Sequence, residues 1–387
     1  MLHGSSPTKR LPLNNERESK LQEIVKSARI MIMIGSGGVG KTTSSVTCAV
    51  LAASQGRKVG LLSIDPAKRL ADAMGISLGN ELCEISPIEG AENWGSLYAA
   101  MLDQKAVFDS MVSKFAKNQV ARDKIFENPL YQQVSSNFGG PLEYMALAKI
   151  SEMLEDDRFD LIVVDTPPDT HALDFLIRPG LLAGFMDKKV MNWLVKPFHM
   201  AQKLGFTRLL SVGERMMQGI ADLTGAKMLH MIVEFLILAE EVIIGFNESG
   251  KNITAALSKD GCHFVLVTAP TNVSVRSADV LMKELVENKF QLSAIIANRY
   301  VRQDLREALE KMRENLPREK LQTEEFLFKM LDGYNNSLKN LQEISKRYFR
   351  NSPPIALVEE QSAALHTPSA ILSFSELFKN AKNLGET

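Results

Sequence analysis

Gly35-Ser36-Gly37-Gly38-Val39-Gly40-Lys41-Thr42-Thr43 has the residue types and spacing to hold a chain of phosphates. It matches GxxxxGK[ST], with an apolar run (30–34) before it and a helix-forming segment (44–54) after it. Glycines let successive backbone N–H groups curl around phosphate oxygens that a Cβ would obstruct. The helix start adds the positive end of its dipole. Lys41 is expected to reach the β- and γ-phosphates, and the Thr42 hydroxyl to take one Mg²⁺ position. A chance glycine-rich turn before a helix is the weaker reading, because the strand and helix stand in the required order.

Two carboxylates extend this chemistry. Asp65 lies in Ser63-Ile64-Asp65-Pro66-Ala67-Lys68-Arg69-Leu70, directly after a second apolar run. At the C-terminal end of a parallel strand it points into the ligand crevice, placed to orient or deprotonate an attacking water and to share the metal. It also reads as a helix N-cap with Pro66 at the first helical position. Asp165 ends Leu161-Ile162-Val163-Val164-Asp165-Thr166-Pro167-Pro168, and an apolar strand ending in Asp is expected to hold Mg²⁺ through water. The Asp169-Thr170-His171 that follows falls where a γ-phosphate-sensing loop lies. There His171 suits a hydrogen-bonding role better than that of a catalytic base. Asn298, at the end of a late strand and followed by Arg299, is placed to read an adenine edge; the plain alternative is a strand cap.

The elements that must position these groups alternate in type. Apolar runs at 30–34, 58–64, 160–165, 263–268, 293–298 and 355–358 predict strands, separated by helical stretches. The runs near Asp160 and His263 are continuously apolar, as strands covered on both faces are. This predicts an α/β fold of the P-loop NTPase type, with a mostly parallel, doubly wound sheet. Stretches 90–141 and 179–259 lack strand signals and predict helical insertions gathered into a subdomain. Segment 301–350 carries 20 charged residues, and Leu305, Leu309, Met312 and Leu316 within it fit an amphipathic helix with a solvated face. Residues 1–27 are expected to be an arm and first helix, and 28–387 a single P-loop ATPase domain.

Composition narrows the partners. With 45 basic against 46 acidic side chains, net charge gives no argument for nucleic acid. Hydrophobic residues at 45% and charged at 24% exclude a disordered chain. Cys48, Cys83 and Cys262 lie far apart and form no CxxC pair, which fits a reducing cytoplasm rather than a disulfide framework. Residues 1–20 are polar, with no apolar core of a signal peptide. The most apolar stretch, 228–246, contains Glu234, Glu240 and Glu241, too costly for a lipid-facing helix, so no stable membrane insertion is expected.

GSGGVGKTT, SIDPAKRLADAMG and VVDTPPDTHALDFL resemble the deviant Walker A, switch I and switch II motifs of the arsenite-pump (ArsA) ATPase family. That family includes the ATPase that targets tail-anchored membrane proteins in eukaryotes. VTAPTNVSVRSADVLMKEL before Asn298 is similar too, and Pro354 with Glu359 resembles the family's nucleotide-base loop. The resemblance covers roughly residues 28–380. It implies ATP and Mg²⁺ as cofactors, Asp65 as support for water attack, and a nucleotide-gated dimer whose helical parts form a joint site for cargo, a hydrophobic or tail-anchored protein segment.

Three departures qualify that implication. The family's GKGGVGKT carries an early lysine that reaches the partner's phosphates, and Ser36 stands there. A trans-acting cation of that kind is worth about 10³–10⁵ in rate, so this chain is expected either to hydrolyse ATP slowly as a homodimer or to pair with a paralogue. A non-catalytic nucleotide-binding regulator stays open for the same reason. The zinc-binding CxxC of the eukaryotic relative is absent. The arsenite pump joins two such units and clusters cysteines, so an arsenite-efflux subunit, with a metalloid on Cys83 and Cys262, is the weakest alternative.

Seven of the 18 methionines (Met186, Met191, Met200, Met216, Met217, Met228 and Met231) fall within 46 residues of the second insertion. Met228, Met231, Phe235, Leu238 and Val242 share one helix face. They read either as core packing or as an adaptable apolar surface for hydrophobic segments.

Overall fold

The computed structural model describes residues 19–65, 69–133, 135, 142–168, 225–257, 261–301, 303–315, 318–361, 368–379 and 381–384. Its strands are β1 (Ile30–Ile34), β2 (Lys58–Ser63), β3 (Cys83–Ile85), β4 (Ser96–Met101), β5 (Leu161–Asp165), β6 (Cys262–Thr268), β7 (Leu292–Tyr300), β8 (Ile355–Glu359) and β9 (Lys382–Asn383). They form a nine-stranded sheet in the order β3-β4-β2-β5-β1-β6-β7-β8-β9. From β4 to β8 every pairing is parallel, and only the edge strands β3 and β9 pair antiparallel. This is the α/β sheet of a P-loop NTPase.

The described helices are α1 (Lys20–Ser27), α2 (Lys41–Ala53), α3 (Arg69–Met74), α4 (Gln104–Phe115), α5 (Gln119–Glu127), α6 (Pro129–Gln133), α7 (Leu142–Glu155), α8 (Gly225–Leu257), α9 (Asn272–Glu287), α10 (Gln303–Asn315), α11 (Arg318–Tyr348) and α12 (Pro368–Lys379). They cover both faces of the sheet, which is why β1 (Ile-Met-Ile-Met-Ile) is buried at every position. Met31 and Met33 pack with Val46, Val50 and Leu51 of α2 and Phe374 of α12. Ile30, Ile32 and Ile34 pack on the other face with Ile150 of α7, Leu257 of α8 and Leu281 of α9. Each such side chain contributes about 1.5–3 kcal/mol on burial. Helix α2 is thus seated firmly, and so is the loop that feeds it.

A separate aromatic core lies among α4, α5, α6 and α8. Val112, Ile125, Tyr131 and Val242 are buried in it, with Phe108, Phe115, Phe126, Phe235 and Leu238 packed around them. The Phe108 and Tyr131 rings stack at 5.4 Å, and the Tyr131 hydroxyl donates to Asp109. Helix α8 has 33 residues and runs from this core to the sheet, where Ile253 and Leu257 are buried. At about 1.5 Å per residue it is about 50 Å long. No helix among the described residues is long and apolar enough to cross a membrane.

The structure corrects one reading of the chain. Stretch 90–141 is not helical throughout, since Ser96–Met101 forms β4, parallel to β2. Its small Ala99 and Ala100 give little intrinsic strand preference; pairing with Leu61 and Leu62 of β2 imposes the conformation. The charged segment forms α10 and α11, which Arg313 and Asp332 join at 2.8 Å. The expected apolar stripe of α10 is not packed away: Leu305 is 51% and Met312 37% exposed. Leu316 lies outside the described residues.

Candidate nucleotide site

The loop between β1 and α2 opens at a point where neighbouring strands send their following helices to opposite faces. Helix α2 after β1 lies on the Met31 face, and α9 after β6 lies on the Ile30 face. Such a switch point leaves a crevice beyond the C-terminal strand ends. Two glycines are required by the loop's path. A Cβ on Gly35 would stand 2.3 Å from the Val267 carbonyl oxygen of β6. Gly40 caps α2 at φ +90, and a Cβ there would stand 2.1 Å from Asn298 Nδ2. Gly37 and Gly38 are exposed, Val39 is buried, and Ser36, Thr42 and Thr43 are partly exposed along the loop.

Lys41 is 5% exposed, and its Nζ donates to the Thr166 carbonyl at 2.6 Å. Thr166 in turn is fixed by its own hydroxyl, which donates to the Met33 carbonyl at 2.8 Å. The preceding Asp165 is fully buried. Its Oδ2 accepts from Thr42 Oγ1 at 2.8 Å and Ser63 Oγ at 3.3 Å, and its Oδ1 from Ser45 Oγ at 3.1 Å. Burial pushes the Asp165 carboxyl above the ordinary carboxylate range, while the Lys41 charge and these hydroxyls pull it back. Asp65 is also buried, directly beyond β2, and the Ile64 N–H donates to the Asp165 carbonyl at 2.8 Å.

The donor set fits Mg²⁺. It offers hard oxygens, the Thr42 hydroxyl 2.8 Å from the Asp165 carboxylate, of the kind that ion takes alongside phosphate oxygens and water. Among the described residues no cluster of three His, Cys, Asp or Glu side chains holds a metal unaided. Mg²⁺ characteristically relies on one or two carboxylates plus phosphates.

Asn298 also joins the loop, by a route the sequence did not disclose. The β7–β8 register shifts between Ala297 and Tyr300, and Arg299 adopts φ +58. This bulge turns Asn298 onto the loop, where Nδ2 donates to the Val39 carbonyl at 2.8 Å.

Set beside known proteins, residues 28–339 match the ArsA_ATPase family, described as anion-transporting ATPase. The chain belongs to the ArsA ATPase family. It is accordingly an ATPase. Among its relatives is "ATPase get3" of Aspergillus terreus, 27% identical over 284 residues, 73% of this chain and 76% of that protein. "ATPase GET3" of Podospora anserina is 30% identical over 173 residues, 44% and 49% of the two chains. "ATPase ASNA1 homolog" of Plasmodium yoelii yoelii is 26% identical over 290 residues, 73% and 66%. The matched stretch thus spans about half to three quarters of these relatives.

Pro354 lies beside β7. It precedes β8, and its carbonyl accepts from the Ile295 N–H, three residues before Asn298. The pairs Ile355 with Ile295, Ile295 with Leu266 and Leu266 with Ile34 set it about level with the end of β1, three strand spacings (about 14 Å) across the sheet. The chain leaves β8 on the crevice side only at Glu360, whose N–H donates to the Tyr300 carbonyl at 2.9 Å. Pro66 to Lys68, Asp169 to His171 and Met186 to Met217 lie outside the described residues. Met228 and Met231 belong to α8, while Phe235, Leu238 and Val242 of the same stripe pack against the aromatic core.

Ser45 and Ser63 were not singled out from the sequence. The available signal was a small hydroxyl residue three positions after Thr42 on α2, and another ending β2. A metalloid site on Cys83 and Cys262 is not assembled within the chain. Strands β3 and β6 are five strand spacings apart, about 24 Å.

Proposed function

We propose that this ATPase is a cytoplasmic dimeric switch whose nucleotide state controls a helical part that receives a hydrophobic protein segment, such as a tail anchor. The observation that carries the reading is the Lys41 to Thr166 bond. It ties the phosphate-loop lysine to the main chain three residues before the sequence Asp169-Thr170-His171. When ATP binds, Lys41 exchanges the Thr166 carbonyl for the β- and γ-phosphates, and the segment after β5 is released to a new position. Thr42 and Asp165 would hold Mg²⁺, which when bound would supply positive charge against the phosphates. Asp65 orients the attacking water. Asn298 keeps the loop in place, and its Oδ1 supplies an acceptor for the adenine amino group. Helix α7 leads directly into β5, and α8 spans from the sheet to the aromatic core, so both connect the crevice to the helices.

Ser36 supports a second reading. It is partly exposed in the loop and uncharged, so it supplies no cation to a partner's phosphates. The chain would then act as the weaker half of a heterodimer with a paralogous ATPase. One experiment separates the two. The purified chain is sized with ADP and with a non-hydrolysable ATP analogue, with and without a synthetic tail-anchor helix. The leading reading expects ATP-dependent dimers that retain the helix, and loss of retention but not of nucleotide binding when Met216, Met217, Met228 and Met231 are changed together to Asp. A monomer under every condition sinks the homodimer.

A further inference from the structure

Strand β3 closes one end of the sheet and pairs with β4 alone among the described residues. Beside it lies a cleft of about 360 Å³, with Met74, Ile85 and Ile88 in its apolar lining and Cys83, Glu84 and Glu89 exposed on it. Its only charged lining residues among those described are Glu84 and Glu89, and the stretch of chain that forms it is acidic between Arg69 and Lys105. From Leu70 to Gln104 the chain carries Asp72, Glu81, Glu84, Glu89, Glu92 and Asp103, all exposed, and no lysine or arginine, although the whole chain is balanced. An apolar cleft bearing two carboxylates suits an extended segment with apolar side chains flanked by basic ones.

The chain itself carries such a segment, Lys9-Arg10-Leu11-Pro12-Leu13, within the 18 residues that precede the described part. Where that part begins fits the assignment. Ser19 caps α1, and its Oγ donates to the Phe378 carbonyl of α12 at 3.0 Å. Six residues back along α12, about 9 Å, Leu372 Cδ2 lies 3.9 Å from the Cβ position of Gly90, next to Glu89 in the cleft wall. The six residues from Asn14 to Ser19 reach up to about 20 Å when extended, enough for this path.

We propose that residues 9–13 dock in the cleft beside β3 of the same chain, with Leu11 and Leu13 on the apolar lining and Lys9 and Arg10 facing Glu84 and Glu89. The docked arm covers Cys83, and that supplies the measurement. Cys48 is buried and Cys262 partly buried, and burial pushes both thiols up to about 12, whereas Cys83 is exposed.

The test alkylates the native full-length chain with iodoacetamide and follows Cys83 by mass spectrometry. Leu11→Asp with Leu13→Asp should speed Cys83 labelling at least 5-fold, with Cys48 and Cys262 still unlabelled as the control for folding. Glu84→Lys with Glu89→Lys should do the same, and adding Lys9→Glu with Arg10→Glu should slow it again. Equal labelling in the wild type and the leucine variant overturns the proposal. So does protection that rises with protein concentration, which would place another copy's arm in the cleft.

Discussion

Lys41 Nζ and the Thr166 carbonyl oxygen lie 2.6 Å apart, and this bond joins the phosphate loop to the strand that ends in Asp165. On the proposed reading, phosphate replaces that acceptor when ATP binds. Lys41→Met should therefore lower ATP hydrolysis by about 10²-fold or more, the scale of losing one positioned donor to developing charge. The fold should persist, because a buried cation is replaced by an apolar chain of similar length. Steady-state phosphate release and thermal melting check the two halves.

Asp165 carries opposite consequences for stability and for activity. Its carboxyl is raised in the folded state, mainly by burial, so the folded protein binds that proton more tightly than the unfolded chain. The resulting cost is present above the folded pKa and fades as pH falls through it. Asp165→Asn removes the cost, so the melting temperature of the nucleotide-free protein near neutral pH should stay level or rise. Mg²⁺-dependent hydrolysis should be lost. In the wild type, hydrolysis should fail on acidification at a pH above about 3.9, where an ordinary aspartate titrates. A drop of several degrees in the variant's melting temperature would oppose this account.

Gly40 and Asn298 should behave as a coupled pair. An alanine at φ +90 costs about 1–2 kcal/mol in backbone strain, and its Cβ meets Asn298 Nδ2 as well. Gly40→Ala should weaken nucleotide binding about 10-fold or more. Adding Asn298→Ala should restore part of the loss by removing the clash, while the strain remains and the Val39 carbonyl loses its donor. Titration calorimetry on the double-mutant cycle measures the coupling.

In the aromatic core the ring of Phe115 lies against Gly245, with Cδ1 2.1 Å from where a Cβ would stand. Alanine gains about 1 kcal/mol of helix propensity over glycine, but overpacking costs about 1–3 kcal/mol. Overpacking should win. Gly245→Ala should lower the melting temperature, and Phe115→Leu in the same chain should recover it.

The central strands were legible because they are continuous Ile, Val and Leu runs, which few other structures accommodate. The loop and the two aspartates were legible because their chemistry needs a local pattern. Strand β4 was not, because Ala99 and Ala100 become strand only by pairing with β2. The hydroxyls of Ser45 and Ser63 are ordinary residues until three elements bring them to one carboxylate.

The claim that this chain is itself a working ATPase, despite Ser36, is tested most directly by steady-state ATP hydrolysis of the purified protein with Mg²⁺. The wild type should turn over, Asp65→Asn should reduce the rate about 10²-fold while nucleotide stays bound, and Ser36→Lys should raise it. Nucleotide binding with no hydrolysis in the wild type, or a rate untouched by Asp65→Asn, would contradict it.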